Sequence, residues 1–111
     1  YARGTIDAQE FFNILNLDRS NKILGYYQST KGGVASSIVD PKLIFSVALK
    51  SLATGIILSH NHPSGNLKPS GSDIKFTKKV SHGALALDIS LLDHIILTKS
   101  GYFSFADEGM L

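Results

Sequence analysis

The sequence contains no cysteine. That excludes a disulfide framework, a thiol nucleophile and a finger-type zinc site, all of which need sulfur. Any metal must therefore be held by His, Asp or Glu. Glutamate is scarce as well, since only Glu10 and Glu108 occur. No apolar run approaches the roughly 20 residues that span a bilayer, and no basic-then-apolar leader precedes a cleavage site. The expectation is a cytoplasmic chain with no membrane partner. Net charge is only +2, which neither demands nor excludes nucleic acid. There is no internal repeat and no low-complexity tract.

What the sequence does have is an apolar fraction of 43% and a charged fraction of 18%, the make-up of an ordinary folded globule. A length of 111 residues closes one core and leaves little for a second, so one domain over residues 1–111 is expected. Its oligomeric state is left open. The first residue is Tyr1 rather than methionine, so a longer protein with a further N-terminal region is expected.

Local patterns predict an α/β sheet with two helices. "EFFNILNLD", the polar turn "RSN" and "KILGYYQST" read as a well-buried hairpin. A short branched stretch lies near Val34 to Val39. "DPKLIFSVALKSLATG" carries helix punctuation: Asp40 to cap, Pro41 for the first turn and Gly55 to end it. Leu43, Ile44, Val47, Ala48 and Leu52 fall on one face. "GIILSH" reads as a buried strand. A second helix is predicted from Ser70 to about His82, with Ile74, Thr77 and Val80 on its inner side. "SLLDHIILT" and "YFSF" return as strands.

The chemistry concentrates in "SHNHPSGNLKPSGSD", residues 59–73. Side chains at i and i+2 of an extended strand point the same way, so His60 and His62 present two imidazoles to one side. Pro63 and the glycine-containing loop turn the chain back, bringing Asp73 in the first turn of the next helix within reach. Two imidazoles and a carboxylate suit Zn2+ and leave one tetrahedral position for water, as a catalytic site requires. Zinc lowers the pKa of that water to about 7 and polarises a carbonyl. If the first strand lies beside "GIILSH", Glu10 can act as general acid/base. Ser70 can hydrogen-bond the developing oxyanion.

Each residue also has a plainer reading. Ser70 and Asp73 sit three apart at a helix start, which is nearly a capping box, and capping is compatible with catalysis because a hydroxyl both accepts and donates. His60 and His62 alone read as exposed loop histidines, and Glu10 alone as a solvated strand end. His94 reads as a satisfied structural histidine or as a partner near the metal. His82 reads as solvent-facing near a helix end. Lys68, Lys75, Lys78 and Lys79 form the one noticeable cationic cluster, of which Lys75, Lys78 and Lys79 read as a wet helix face or as a polyanion contact.

Taken together, Glu10 upstream, then His60, one residue, His62, seven residues, Ser70, two residues and Asp73 resemble the JAMM metalloprotease signature of JAB/MPN domains. With "LLDHIIL" and "YFSFADEG", the chain resembles the bacterial RadC-type branch over nearly its whole length. The resemblance implies a mixed, curved sheet flanked by helices, of the JAB/MPN, cytidine-deaminase-like kind. It implies His60, His62 and Asp73 as zinc ligands, Glu10 as acid/base and Ser70 as oxyanion helper. It further implies a metallopeptidase or isopeptidase-like hydrolase with a protein or peptide substrate. The alternative is a nucleic-acid-binding module of DNA repair or mobile elements, whose metal site is structural or vestigial.

Overall fold

The computed structural model describes residues 10–31 and 39–111. Its elements are β1 (Glu10–Leu17), β2 (Ile23–Lys31), α1 (Pro41–Lys50), β3 (Gly55–Asn61), α2 (Gly71–Ala86), β4 (Ser90–Thr98) and β5 (Gly101–Ser104). They build one five-stranded sheet in the order β2-β1-β3-β4-β5. Only β3 and β4 run parallel, and α2 connects them; the other neighbours are antiparallel. The sheet is thus mixed, and the expected α/β class holds.

One side of each central strand builds the core. Phe12 and Ile14 of β1 and Ile56 and Leu58 of β3 alternate along their strands and so share a face. They meet Ile44 and Ala48 of α1 and Phe76, Val80 and Ala84 of α2 in a single cluster. Both helices therefore cover the same face of the sheet. They approach closely at Gly83, where a Cβ would come 2.8 Å from the Phe45 ring.

The hairpin forms as predicted, and its turn has a clear cause. Asp18 Oδ1 accepts from the backbone of Ser20 and Lys22 at 2.8 and 2.9 Å, the side-chain turn that Asp favours. Asn21 takes the left-handed conformation, φ 61°, which asparagine tolerates better than most residues. The expectation that the whole hairpin is buried is corrected, however. β2 is the edge strand, and Ile23 and Tyr26 are 67% and 60% exposed.

Helix α1 starts as expected: the Asp40 side chain accepts from the N–H of Lys42 at 2.9 Å and Pro41 opens the first turn. Its end differs from the prediction. Ser51 is the C-cap, its hydroxyl bonded to the carbonyls of Val47 and Ala48, and Leu52 takes φ 56°. That turn throws Leu52 outward to 82% exposure, off the apolar face assigned to it. Gly55 opens β3 instead of closing α1, in a place where a Cβ would sit 3.0 Å from Leu92. Helix α2 starts after Ser70 as expected and runs past His82 to Ala86. Of the branched stretch at 34–39, only buried Val39 lies inside the described residues. Among the described residues no helix is long and apolar enough to cross a membrane.

Candidate metal centre

His60 follows Ile56 and Leu58 on the core side of β3 and is buried like them. Phe12 lies directly across from it on β1 and stacks on its imidazole, with ring centroids 5.8 Å apart and planes within 12°. His62 comes just after the strand. Its N–H donates to the Leu97 carbonyl at 2.9 Å, prolonging the β3–β4 ladder before the chain turns away at Gly65, φ 84°. The two histidines therefore sit at the carboxyl end of a parallel strand pair, the usual location of ligand crevices in sheets of this kind.

Asp73 reaches them from the other end of the loop. Ser70 caps α2, its hydroxyl accepting from the Asp73 N–H at 3.0 Å while Asp73 Oδ2 accepts from the Ser70 N–H at 2.9 Å. This reciprocal box fixes the carboxylate so that Oδ1 lies 3.4 Å from His60 Nε2 and Oδ2 lies 3.3 Å from His62 Nε2. The two imidazole Nε2 atoms are 3.1 Å apart. One ligand atom from each of His60, His62 and Asp73 thus lies within 4.8 Å of the others. Capping and convergence on the histidines are two uses of one side chain.

The donors suit a cation. His62 Nδ1 lies 2.7 Å from the Asn66 carbonyl, and a carbonyl only accepts, so Nδ1 carries a proton and Nε2 is the ring nitrogen left to bind a cation. Burial by itself would raise the Asp73 pKa, but the His60 imidazole and the Ser70 N–H outweigh it and hold the carboxyl well below its ordinary 3.8. A cation held between them would meet both the ionised carboxylate and the imidazole nitrogens. Nitrogen and oxygen donors without sulfur fit a divalent first-row ion.

Glu10 and Ser70 border the same place. The β1–β3 register pairs Phe12 with His60; carried on by two residues (12 − 2 and 60 + 2), it brings Glu10 beside His62. An open groove of about 610 Å³ is lined by Glu10, His62, Ser64, Asn66, Lys68 and Ser70 among others, a volume within the range of substrate pockets. All five residues singled out for chemistry are therefore gathered at one end of the sheet, with His60 and Asp73 buried and the other three lining the groove. Of the four clustered lysines only Lys68 lines it. Lys75, Lys78 and Lys79 lie on the exposed side of α2, as a wet face would. His82 is exposed as expected.

The structural reading of His94 holds, and its ring also lies against His60. It is fully buried and satisfied, with His60 Nδ1 2.9 Å from its Nε2 and Thr77 Oγ1 2.6 Å from its Nδ1. Burial first, and then the neighbouring His60, push its pKa down to about 3 against a smaller opposing pull from Asp73. It is therefore neutral at physiological pH. Thr77 and the Asn66 carbonyl were not singled out by the sequence pattern. Thr77 carried one signal, its position four residues after Asp73 and hence on the same helix face.

The model of the RadC-like JAB domain family matches residues 2–110. A UPF0758 protein of Flavobacterium johnsoniae is 47% identical over 107 residues, covering 96% of this chain and 46% of that protein. One of Porphyromonas gingivalis is 45% identical over 104 residues, covering 93% and 46%. A third, from Alkaliphilus metalliredigens, is 39% identical over 103 residues, covering 93% and 44%. The chain spans about half the length of these curated relatives.

Proposed function

Because the chain belongs to the RadC-like JAB domain family, we propose that it is a zinc-dependent hydrolase of the metallopeptidase or isopeptidase kind, cleaving an amide bond in a protein or peptide. The observation that carries this reading is the meeting of His60, His62 and Asp73 within 4.8 Å beside a groove that Glu10 and Ser70 also line. Zinc, held by His60, His62 and Asp73, would supply a Lewis acid for the amide carbonyl and for the attacking water.

The remaining steps belong to the chain's own groups. Glu10 takes a proton from the attacking water as its oxygen bonds to the amide carbon. It then delivers a proton to the leaving nitrogen as the C–N bond breaks. Ser70 Oγ already accepts from the Asp73 N–H, so its hydroxyl hydrogen is free to meet the oxyanion on the amide oxygen. The groove is open rather than enclosed, which suits an extended segment of chain laid across it.

Glu10→Gln tests the assignment. It keeps the shape but cannot take the proton, and none of the three proposed ligands changes. Zinc content should equal that of the wild type while hydrolysis of any amide the wild type cleaves falls by roughly 10²- to 10⁴-fold. Loss of zinc in this variant would make Glu10 a ligand or a support, and full activity would place the base elsewhere.

A further inference from the structure

His94 pairs with Leu58 across β3 and β4, and its ring is enclosed by aromatic side chains. Phe105 stacks on it at 4.9 Å with planes within 8°, and Phe12 and Phe76 lie 6.1 and 6.4 Å away. Solvent does not reach it, so both ring nitrogens must be satisfied from within the protein. The two contacts that satisfy them belong to a chain of hydrogen bonds in which every proton position can be deduced.

The chain starts at the Asp73 backbone carbonyl, which has no proton to give. The Thr77 hydroxyl lies 2.7 Å from it, so the single hydroxyl hydrogen is donated there. With no second hydrogen, Thr77 Oγ1 can only accept from His94 Nδ1 at 2.6 Å, and Nδ1 therefore carries a proton. Neutral imidazole with its proton on Nδ1 has a lone pair on Nε2. The 2.9 Å contact with His60 must then be donated by His60 Nδ1–H. The other nitrogen of His60, Nε2, is the one that faces His62 and Asp73.

We propose that Thr77 and His94 form a buried proton lock, which holds a proton on His60 Nδ1 and so leaves Nε2, facing His62 and Asp73, as the nitrogen of His60 that can bind a cation. Were His94 reversed, neutral His60 would carry its proton on Nε2 and donate it to His62 or Asp73, closing the three groups on themselves. The lock also ties the ring of His60 to the backbone of Asp73, because Thr77 touches both His94 and the Asp73 carbonyl. Thr77 and His94 are positioning residues, and the purpose of the lock rests on the metal-binding reading above. Its test does not.

In the metal-free protein, nitrogen-15 NMR reads which nitrogen of each ring carries hydrogen. His60 and His94 should both carry hydrogen on Nδ1, with His94 Nε2 bare; a proton on His94 Nε2 overturns the lock. The same spectra cover the case in which a variant fails to fold. Thr77→Val keeps the shape but removes the hydroxyl, and zinc affinity measured by chelator competition should fall about 10- to 100-fold. Thr77→Ser should restore it. A Thr77→Val chain that binds zinc as tightly as the wild type overturns the proposal. Wild-type protein with the expected ring protonation but no zinc uptake supports the lock and refutes the metallohydrolase reading, so the two failures are distinct.

Discussion

Ser70 and Asp73 exchange two hydrogen bonds at the start of α2, hydroxyl from backbone at 3.0 Å and carboxylate from backbone at 2.9 Å, and the same carboxylate faces both His60 and His62. A helix cap and a candidate metal-binding group are thus one structure. The bond that orients the carboxylate comes from the Ser70 backbone, whereas the one that caps the helix uses the Ser70 side chain.

This division predicts the behaviour of Ser70→Ala. The variant loses the cap, at about 1 kcal/mol, but keeps the backbone N–H that holds Asp73. Its melting temperature should drop modestly and its zinc content should match the wild type. Amide hydrolysis should fall about 10²- to 10³-fold, the worth of an oxyanion donor. Activity that falls only in proportion to the folded fraction would remove Ser70 from the chemistry.

His94 predicts an acid sensitivity of the metal-free protein. Its folded pKa is about 3 against an ordinary 6.5, so the unfolded chain takes up the proton first as pH falls. Stability from this group is complete above about 6.5 and is lost progressively toward about 3. Asp73, held below its ordinary 3.8, contributes above that value and loses its contribution only as pH falls below it. Urea midpoints between pH 7 and pH 4.5 therefore follow His94 before Asp73 titrates. The fall in midpoint should be shallower in His94→Phe than in the wild type, and equal slopes would show that another group governs it.

The convergence of the candidate site was legible because its spacing is local. His60 and His62 share a side by strand geometry, and Ser70 and Asp73 are set by the first turn of one helix, so short-range rules are enough. Glu10 depended on β1 lying beside β3, which the pairing of Phe12 with His60 confirms. Non-local features were harder to read. The apolar residues of β2 looked buried until the strand order placed them at an edge, and the end of α1 was hidden because Leu52, not a glycine, takes the left-handed turn. The contact of Thr77 with His94 joins α2 to β4, and no pattern within either segment announces it.

The most direct test of the account is the zinc content of the purified chain after incubation with excess zinc and dialysis. It predicts about one zinc per chain, in keeping with a three-ligand mononuclear site, and loss of that zinc in a folded His62→Ala variant. A correctly folded wild-type chain that retains no zinc, or a His62→Ala variant that binds it equally well, would contradict the central claim.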